Sequence, residues 1–389
     1  MEMAGSLGDL GTLLPIAVAM VLVNGMNPLG IFVSIGLFFI FSGFYYGLTV
    51  PVQPMKVIGA YAVATAMPPG QILASCLLMG VFLIIIGGTG AIDLVRKYTP
   101  KAVIRGVQLS TGALLVSGGM GFILGTSGFQ ILQSAAEPHL SLQALGPIPL
   151  GWIIGGIGGI ITLLLLDHKK YPAGLVVVLG GLGLGLVLGR PGESAWSPGF
   201  YLPEIFPFPF PGKVDFTFAL FALVLPQLPM TLGNAVLAYT DLSRDYFKDE
   251  SVRVTNRSAY ISMGLANILA FCLGGMPLCH GAGGLAAHYR FGARTAGSNL
   301  MIGGVFLCLA LVLGPNILSF LNLLPMAILG ILLVFAGIQL CLTLMDLQTR
   351  KEFFVASLIL GITLAANLAV GFVVGMAVAW ALRSDKLSV

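Results

Sequence analysis

Charge is scarce along this chain. Of its 389 residues only 9% are charged and 57% are hydrophobic, and the mean hydropathy is +0.99. No stretch is polar enough and long enough to make a soluble domain, which excludes a cytosolic enzyme and points to a polytopic, all-α membrane protein. Cysteine is also sparse. The five cysteines (Cys76, Cys272, Cys279, Cys308, Cys341) are odd in number, scattered and mostly within apolar runs, so neither a disulfide framework nor a CxxC zinc site is expected. His280 and His288 stand near one cysteine but no carboxylate, so no metal is expected. The phosphate-loop pattern GxxxxGK is absent, and with it any case for nucleotide binding. No basic flank precedes the first apolar segment, so it is expected to stay as a membrane helix and not be cleaved as a signal peptide.

Glycine is abundant instead, at 53 residues. Gly151, Gly155 and Gly159, and again Gly181, Gly185 and Gly189, recur every four residues, a stripe that lets helices approach closely in lipid. Packing within one subunit and a homodimer interface both account for it.

The chain also repeats itself. SLGDLGTL from Ser6 resembles TLGNAVLA from Thr231; VPVQPMK resembles MPLCHGA, pairing Pro51 with Pro277; PKAVI from Pro100 resembles PMAIL from Pro325. The offsets are 225, 226 and 225, in one order, as a duplication would leave them. The two units are 1–190 and 213–389, with the seam in a Pro-rich polar stretch between. Segmentation gives seven spans per unit: 7–23, 29–48, 54–67, 70–88, 102–124, 148–166 and 172–189, then 214–238, 255–275, 280–291, 297–314, 325–345, 352–368 and 370–383. An odd number of crossings inverts the second copy, the plan of secondary transporters. With both termini in the cytoplasm, all but three of the 19 Lys and Arg residues fall inside, as the positive-inside rule requires. Arg190 and Lys213 fall outside, and Lys56 lies within the membrane.

The spans starting at Pro54 and His280 are too short to cross a core of ~30 Å. Each follows an extended, proline-containing segment, so each is predicted to be a half-helix, and inversion brings their N-termini together at mid-membrane. Two helix N-termini facing one cavity make an anion site. The N–H groups after Gln53 and Cys279, around His280, Gly281, Ala282, Gly283 and Gly284, are the expected donors. Lys56 opposes the dipole of its half-helix, which a bound anion or the carboxylate of Asp9 would compensate. Each assignment has a structural alternative: an ion pair with Asp9, or snorkelling, for Lys56; a helix cap for His280; satisfaction of broken backbone for Gln53 and Gln227; and helix packing for Thr231 and Asn234, which the repeat aligns with Ser6 and Asp9.

The motifs LGDLGTLLP, PVQPMK, PQLPMTLGN and MPLCHGAGGLAAHYRFGAR resemble those of the molybdate transporter family, a branch of the sulfate permease superfamily, and the resemblance covers nearly the whole chain. It implies a seven-plus-seven inverted-repeat fold, with a core domain (1–95 and 213–315) moving against a gate domain (100–190 and 325–385). The cytoplasmic regulatory domain of typical sulfate permeases is expected to be absent. It implies a carrier and not an enzyme, taking up molybdate without a cofactor and without nucleic-acid partners, with a proton as the natural coupling ion. The family motifs fall on Gly8, Asp9, Pro51, Gln53, Lys56, Gln227, Asn234, Cys279, His280 and Gly281. Sulfate, tungstate or another oxyanion is the alternative substrate. A nucleobase permease would more naturally place carboxylates near the half-helix. A hydrolase using Cys279 and His280 is disfavoured because adjacent residues on one turn rarely align as nucleophile and base, and a channel would not saturate at low substrate.

Overall fold

The computed structural model describes residues 2–90, 98–166, 168, 171–190 and 199–384. Lys97, Lys169, Lys170 and Lys386 of the charge pattern, together with Arg96, lie outside the described residues. Helices occupy all fourteen predicted spans. The first unit holds α1 (Leu10–Leu22), α2 (Pro28–Tyr46), α3 (Lys56–Ala64), α4 (Pro69–Thr89), α5 (Lys101–Leu124), α6 (Leu150–Leu165) and α7 (Ala173–Leu188). The second holds α8 (213–247), α9 (Asn256–Leu273), α10 (Ala282–Arg290), α11 (Ala296–Leu313), α12 (Met326–Leu342), α13 (Arg350–Ala365) and α14 (Leu368–Ala381). Six helical stretches among the described residues are long and apolar enough to cross a membrane, and α1, α6, α7 and α14 are shorter apolar helices.

The start and stop signals are local. Asn27 caps α2 by accepting from the N–H groups of Leu29 and Gly30, and Pro28 follows at the first helical position, where its missing donor costs nothing. Gly47 closes the same helix at φ 73°, a left-handed conformation that favours glycine. In α8, Pro226 and Pro229 remove two N–H donors, and the helix adopts wider π turns over Ala219–Val224 and Thr231–Ala238 on either side of them.

Packing follows the duplication. α2 lies along α11 and α4 along α9; moving each helix seven places along the chain turns one pair into the other. α5 packs on α12, a pair that the same operation maps onto itself. Glycines set the close approach in the α5–α12 pair: a Cβ at Gly112 would lie 2.5 Å from the carbonyl oxygen of Gly337, and one at Gly119 2.5 Å from that of Gly330. The half-helices meet through strands β1 (Gln53–Pro54) and β2 (Leu278–Cys279), antiparallel with Gln53 opposite Cys279. This is the non-helical backbone that membrane depth tolerates only inside protein, and it is buried throughout.

One contact has no signal in the sequence. Glu137, in the connection between α5 and α6, reaches the start of α12, where its carboxylate accepts from the N–H groups of Met326 (2.7 Å) and Ala327 (2.9 Å). It is a helix cap supplied from 189 residues away.

Candidate anion site at the half-helix crossing

α3 and α10 have nine residues each, about 14 Å of helix, so both stop well short of a full crossing. Their N-termini are not equivalent. The N–H groups of Val57 and Ile58, in the first turn of α3, donate to Oε1 of Gln227 at 2.9 and 3.3 Å, and Gln227 Nε2 donates to Thr231 Oγ1 at 2.9 Å. These α3 amides, expected to hold an anion, are therefore already occupied by Gln227 from α8. The physical reason is that buried N–H groups in a low-dielectric interior must find an acceptor.

At α10 the neighbours are an acid and an amide. Gln53 Nε2 donates to Asp9 Oδ1 at 2.7 Å. Asp9 Oδ2 and Gln53 Oε1 are buried with no hydrogen-bond partner among the described residues. A Cβ at Gly284 would press on Asp9 Oδ2 and on Pro51 Cβ, and one at Gly281 on Gln53 Oε1, so a side chain at either position would displace the Asp9–Gln53 pair. Asp9 thus shares the positive end of α10. On the other side of that first turn, Gly283 is exposed and Ala282 half-exposed, with open space around Gly283.

His280 points the other way. Its Nδ1 lies 2.9 Å from the carbonyl oxygen of Pro51 and its Nε2 2.9 Å from Ser262 Oγ, and the ring stacks on Tyr239. Because a carbonyl only accepts, Nδ1 carries a proton, and with Nε2 engaged by Ser262 the imidazole is fully bonded. Cys279 Sγ is also turned inward, 3.6 Å from the carbonyl oxygen of Pro54.

A cavity of about 340 Å³ opens beside these elements. Lys56, Thr12 and Asn234, on α3, α1 and α8, line it together with Gln108, Thr162, Gln339 and Thr343, on α5, α6 and α12 with its C-cap. Lys56 is half-buried and has no hydrogen bond among the described residues; it acts electrostatically on Asp9. Of the residues singled out in the sequence, Lys56 and Asn234 line the cavity. Asp9, Gln53, Gly281, Gln227 and Thr231 stand around the crossing behind it, and Cys279 and His280 are turned into the surrounding protein. The part of the lining on α5, α6 and α12 was not legible in the sequence, because a glutamine or threonine within a helix carries no local mark of facing a cavity.

The family model described as the molybdate transporter of the MFS superfamily matches residues 1–115 and 219–340, more than half of the chain. The chain belongs to the molybdate transporter family. Among curated relatives, molybdate transporter 1 of Arabidopsis thaliana is 30% identical over 96% of this chain and 86% of that protein. Molybdate transporter 2 of the same plant is 31% identical over 96% and 85%, and molybdate transporter 1 of Chlamydomonas reinhardtii 30% over 96% and 90%. This family member is a multi-pass membrane transporter and not an enzyme. In fold it is similar to the transmembrane domain of the cyanobacterial bicarbonate transporter BicA (TM-score 0.67, 17% identity, 97% of this chain and 96% of that one). It is also similar to SLC26A9 (TM-score 0.64, 16% identity, 98% and 64%). The fold of this transporter is therefore the one seen in the transmembrane domain of BicA and in SLC26A9.

Proposed function

We propose that the protein is a secondary active transporter that takes up molybdate by alternating access, with the oxyanion held beside the first turn of α10 and facing Lys56. The observation that carries this reading is Lys56: a cation with no hydrogen-bonded partner among the described residues, on a half-helix, lining a cavity next to the glycine-lined end of a second half-helix. An intramembrane charge of this kind is functional by default, and the names of the curated relatives supply the substrate. The open N–H groups at Ala282 and Gly283, together with Asn234 and Thr12, suit an acceptor-rich tetrahedral anion.

The cavity that Lys56 lines also takes in the first turn of α7, the last turns of α6 and α12, and Gln108 in the first half of α5. The membrane face at these helix ends carries Lys101, Arg105 and Arg350, so by the positive-inside rule it is cytoplasmic, both termini are cytoplasmic and the conformation is inward-facing. α1–α4 with α8–α11 form the moving core, and α5–α7 with α12–α14 the gate. Moving a dianion inward against about 100 mV costs ~4.6 kcal/mol, at ~2.3 kcal/mol per charge, so a cation must accompany it. Asp9 is the candidate proton carrier: it shares the α10 terminus with the anion, and protonating it removes a like-charge repulsion. His280, with both ring nitrogens engaged, is poorly placed for that task.

The test is titration of the purified protein with molybdate, tungstate and sulfate at several pH values. Lys56→Met keeps the apolar stem and removes the charge, and should weaken molybdate binding on the order of a hundredfold. Parental binding should strengthen as pH falls, and Asp9→Asn should remove that dependence. Unchanged affinity with a lower melting temperature in Lys56→Met would make the lysine a structural partner of Asp9. Tighter binding of sulfate than of molybdate would favour the general oxyanion carrier.

A further inference from the structure

We propose that Gln108, on the α5 wall of the cavity, is a direct ligand of the transported anion, and that Arg105 and Asp346 hold its carboxamide with the donor end toward the anion. This rests on reading the cavity as the anion's path.

Gln108 is 3% exposed and lines the same cavity as Lys56 and Asn234. A carboxamide can usually sit either way round, because its nitrogen and oxygen are nearly alike in shape. Here the choice is forced. Arg105 Nη1 donates to Gln108 Oε1 at 2.7 Å, and a guanidinium can only donate, so the oxygen must face it. Thr343 Oγ1 lies 3.0 Å from the same oxygen. The oxygen is thus engaged from two sides, whereas Nε2 has no protein partner among the described residues. What Gln108 offers the cavity is a pair of N–H donors.

Arg105 is itself held in place. Its Nε donates to Asp346 Oδ1 at 2.9 Å, and Nη2 bonds Oδ2 of the same carboxylate, a bidentate geometry that fixes the guanidinium plane. Lys101 Nζ lies 3.4 Å from Asp346 Oδ2. Asp346 offsets one of the two positive charges of Lys101 and Arg105, and the side chain of this cluster that lines the cavity is the neutral, oriented Gln108 carboxamide. A cation there would trap a dianion between two positive walls and slow its release; a neutral donor can recognise oxyanion oxygens and still let go. It also favours an anion whose oxygens are all acceptors over hydrogenphosphate, which loses every pose that turns its O–H group to this wall.

The experiment is molybdate titration of the purified full-length protein, with melting temperature measured alongside, for Gln108→Leu, Gln108→Glu and Arg105→Met. Gln108→Leu should weaken molybdate binding roughly tenfold by removing a buried donor to a charged acceptor. Gln108→Glu gives Arg105 a charged partner and so keeps the melting temperature, yet puts a carboxylate opposite the anion and should weaken binding a hundredfold or more. A structural spacer for Arg105 would behave in the reverse order: leucine would impair stability and binding together, and glutamate would preserve both. That order overturns the assignment. Arg105→Met frees the carboxamide to turn over, so the ratio of molybdate to phosphate affinity should fall; a lower melting temperature with an unchanged ratio would remove Arg105 and Asp346 from the orienting role. If the parent binds molybdate and Lys56→Met does not, normal binding by Gln108→Glu defeats this inference alone. A parent that binds no molybdate defeats the anion path and the role of Gln108 with it.

Discussion

Glu137 shows how much one side chain can commit. It is 1% exposed, and burial pushes its carboxyl from an ordinary 4.5 up to about 7, although the N–H groups of Ala327 and Met326 pull the other way. A group whose folded pKa is raised binds its proton more tightly folded than unfolded. Its contribution is fully present below about 4.5 and is lost as pH rises through about 7. The difference corresponds to about 3 kcal/mol. The melting temperature of detergent-purified protein should therefore fall between pH 5 and pH 8, and Glu137→Gln should flatten that slope. A parental profile already flat over this interval would show that the carboxylate stays ionised at the helix end. Nothing in the local sequence marks Glu137, because the helix it caps begins at Met326.

At the scale of the element, the half-helices divide what is local from what is not. Their lengths and the extended prolines before them are legible along the chain, since helix rise and bilayer thickness set a minimum that neither span meets. Which side chain satisfies each terminus is a different matter. Gln227 reaches the α3 amides from 170 residues away, and sequence reading leaves open whether it serves the backbone or the ligand. Gln227→Leu should leave the Val57 and Ile58 N–H groups buried and unpaired, and lower stability by about 1–3 kcal/mol. Thermal unfolding alongside molybdate titration reads it: stability should fall more than in Lys56→Met, and affinity less. An unchanged melting temperature would mean that water or a shift of α3 replaces the cap.

For the whole molecule, the decisive property is the inversion of the two units. The exchange of the α2–α11 pair for the α4–α9 pair by a seven-helix shift is what two copies of opposite orientation produce, and the proposed sidedness rests on the distribution of charge. Gln133 and Arg350 are both exposed and fall on opposite faces. In a background lacking the native five cysteines, a cysteine at position 133 should react with an impermeant thiol reagent from outside, and one at position 350 only from inside. Labelling of both from one side would overturn the proposed topology.

The sequence by itself determined the membrane class, the fourteen helical segments, the duplication, the two short helices and the lysine between them. Each of these is written in hydropathy, length or spacing, quantities that run along one dimension and need no knowledge of neighbours. Only the tertiary structure decided that Gln227 and Glu137 serve as caps, that His280 is bonded into the core and that Gln108 turns its donors to the cavity. These are choices among hydrogen-bond partners lying tens to hundreds of residues apart. In a low-dielectric interior every buried polar group must be matched, so the match goes to whichever side chain packing brings within about 3 Å, and no local pattern records which one that is.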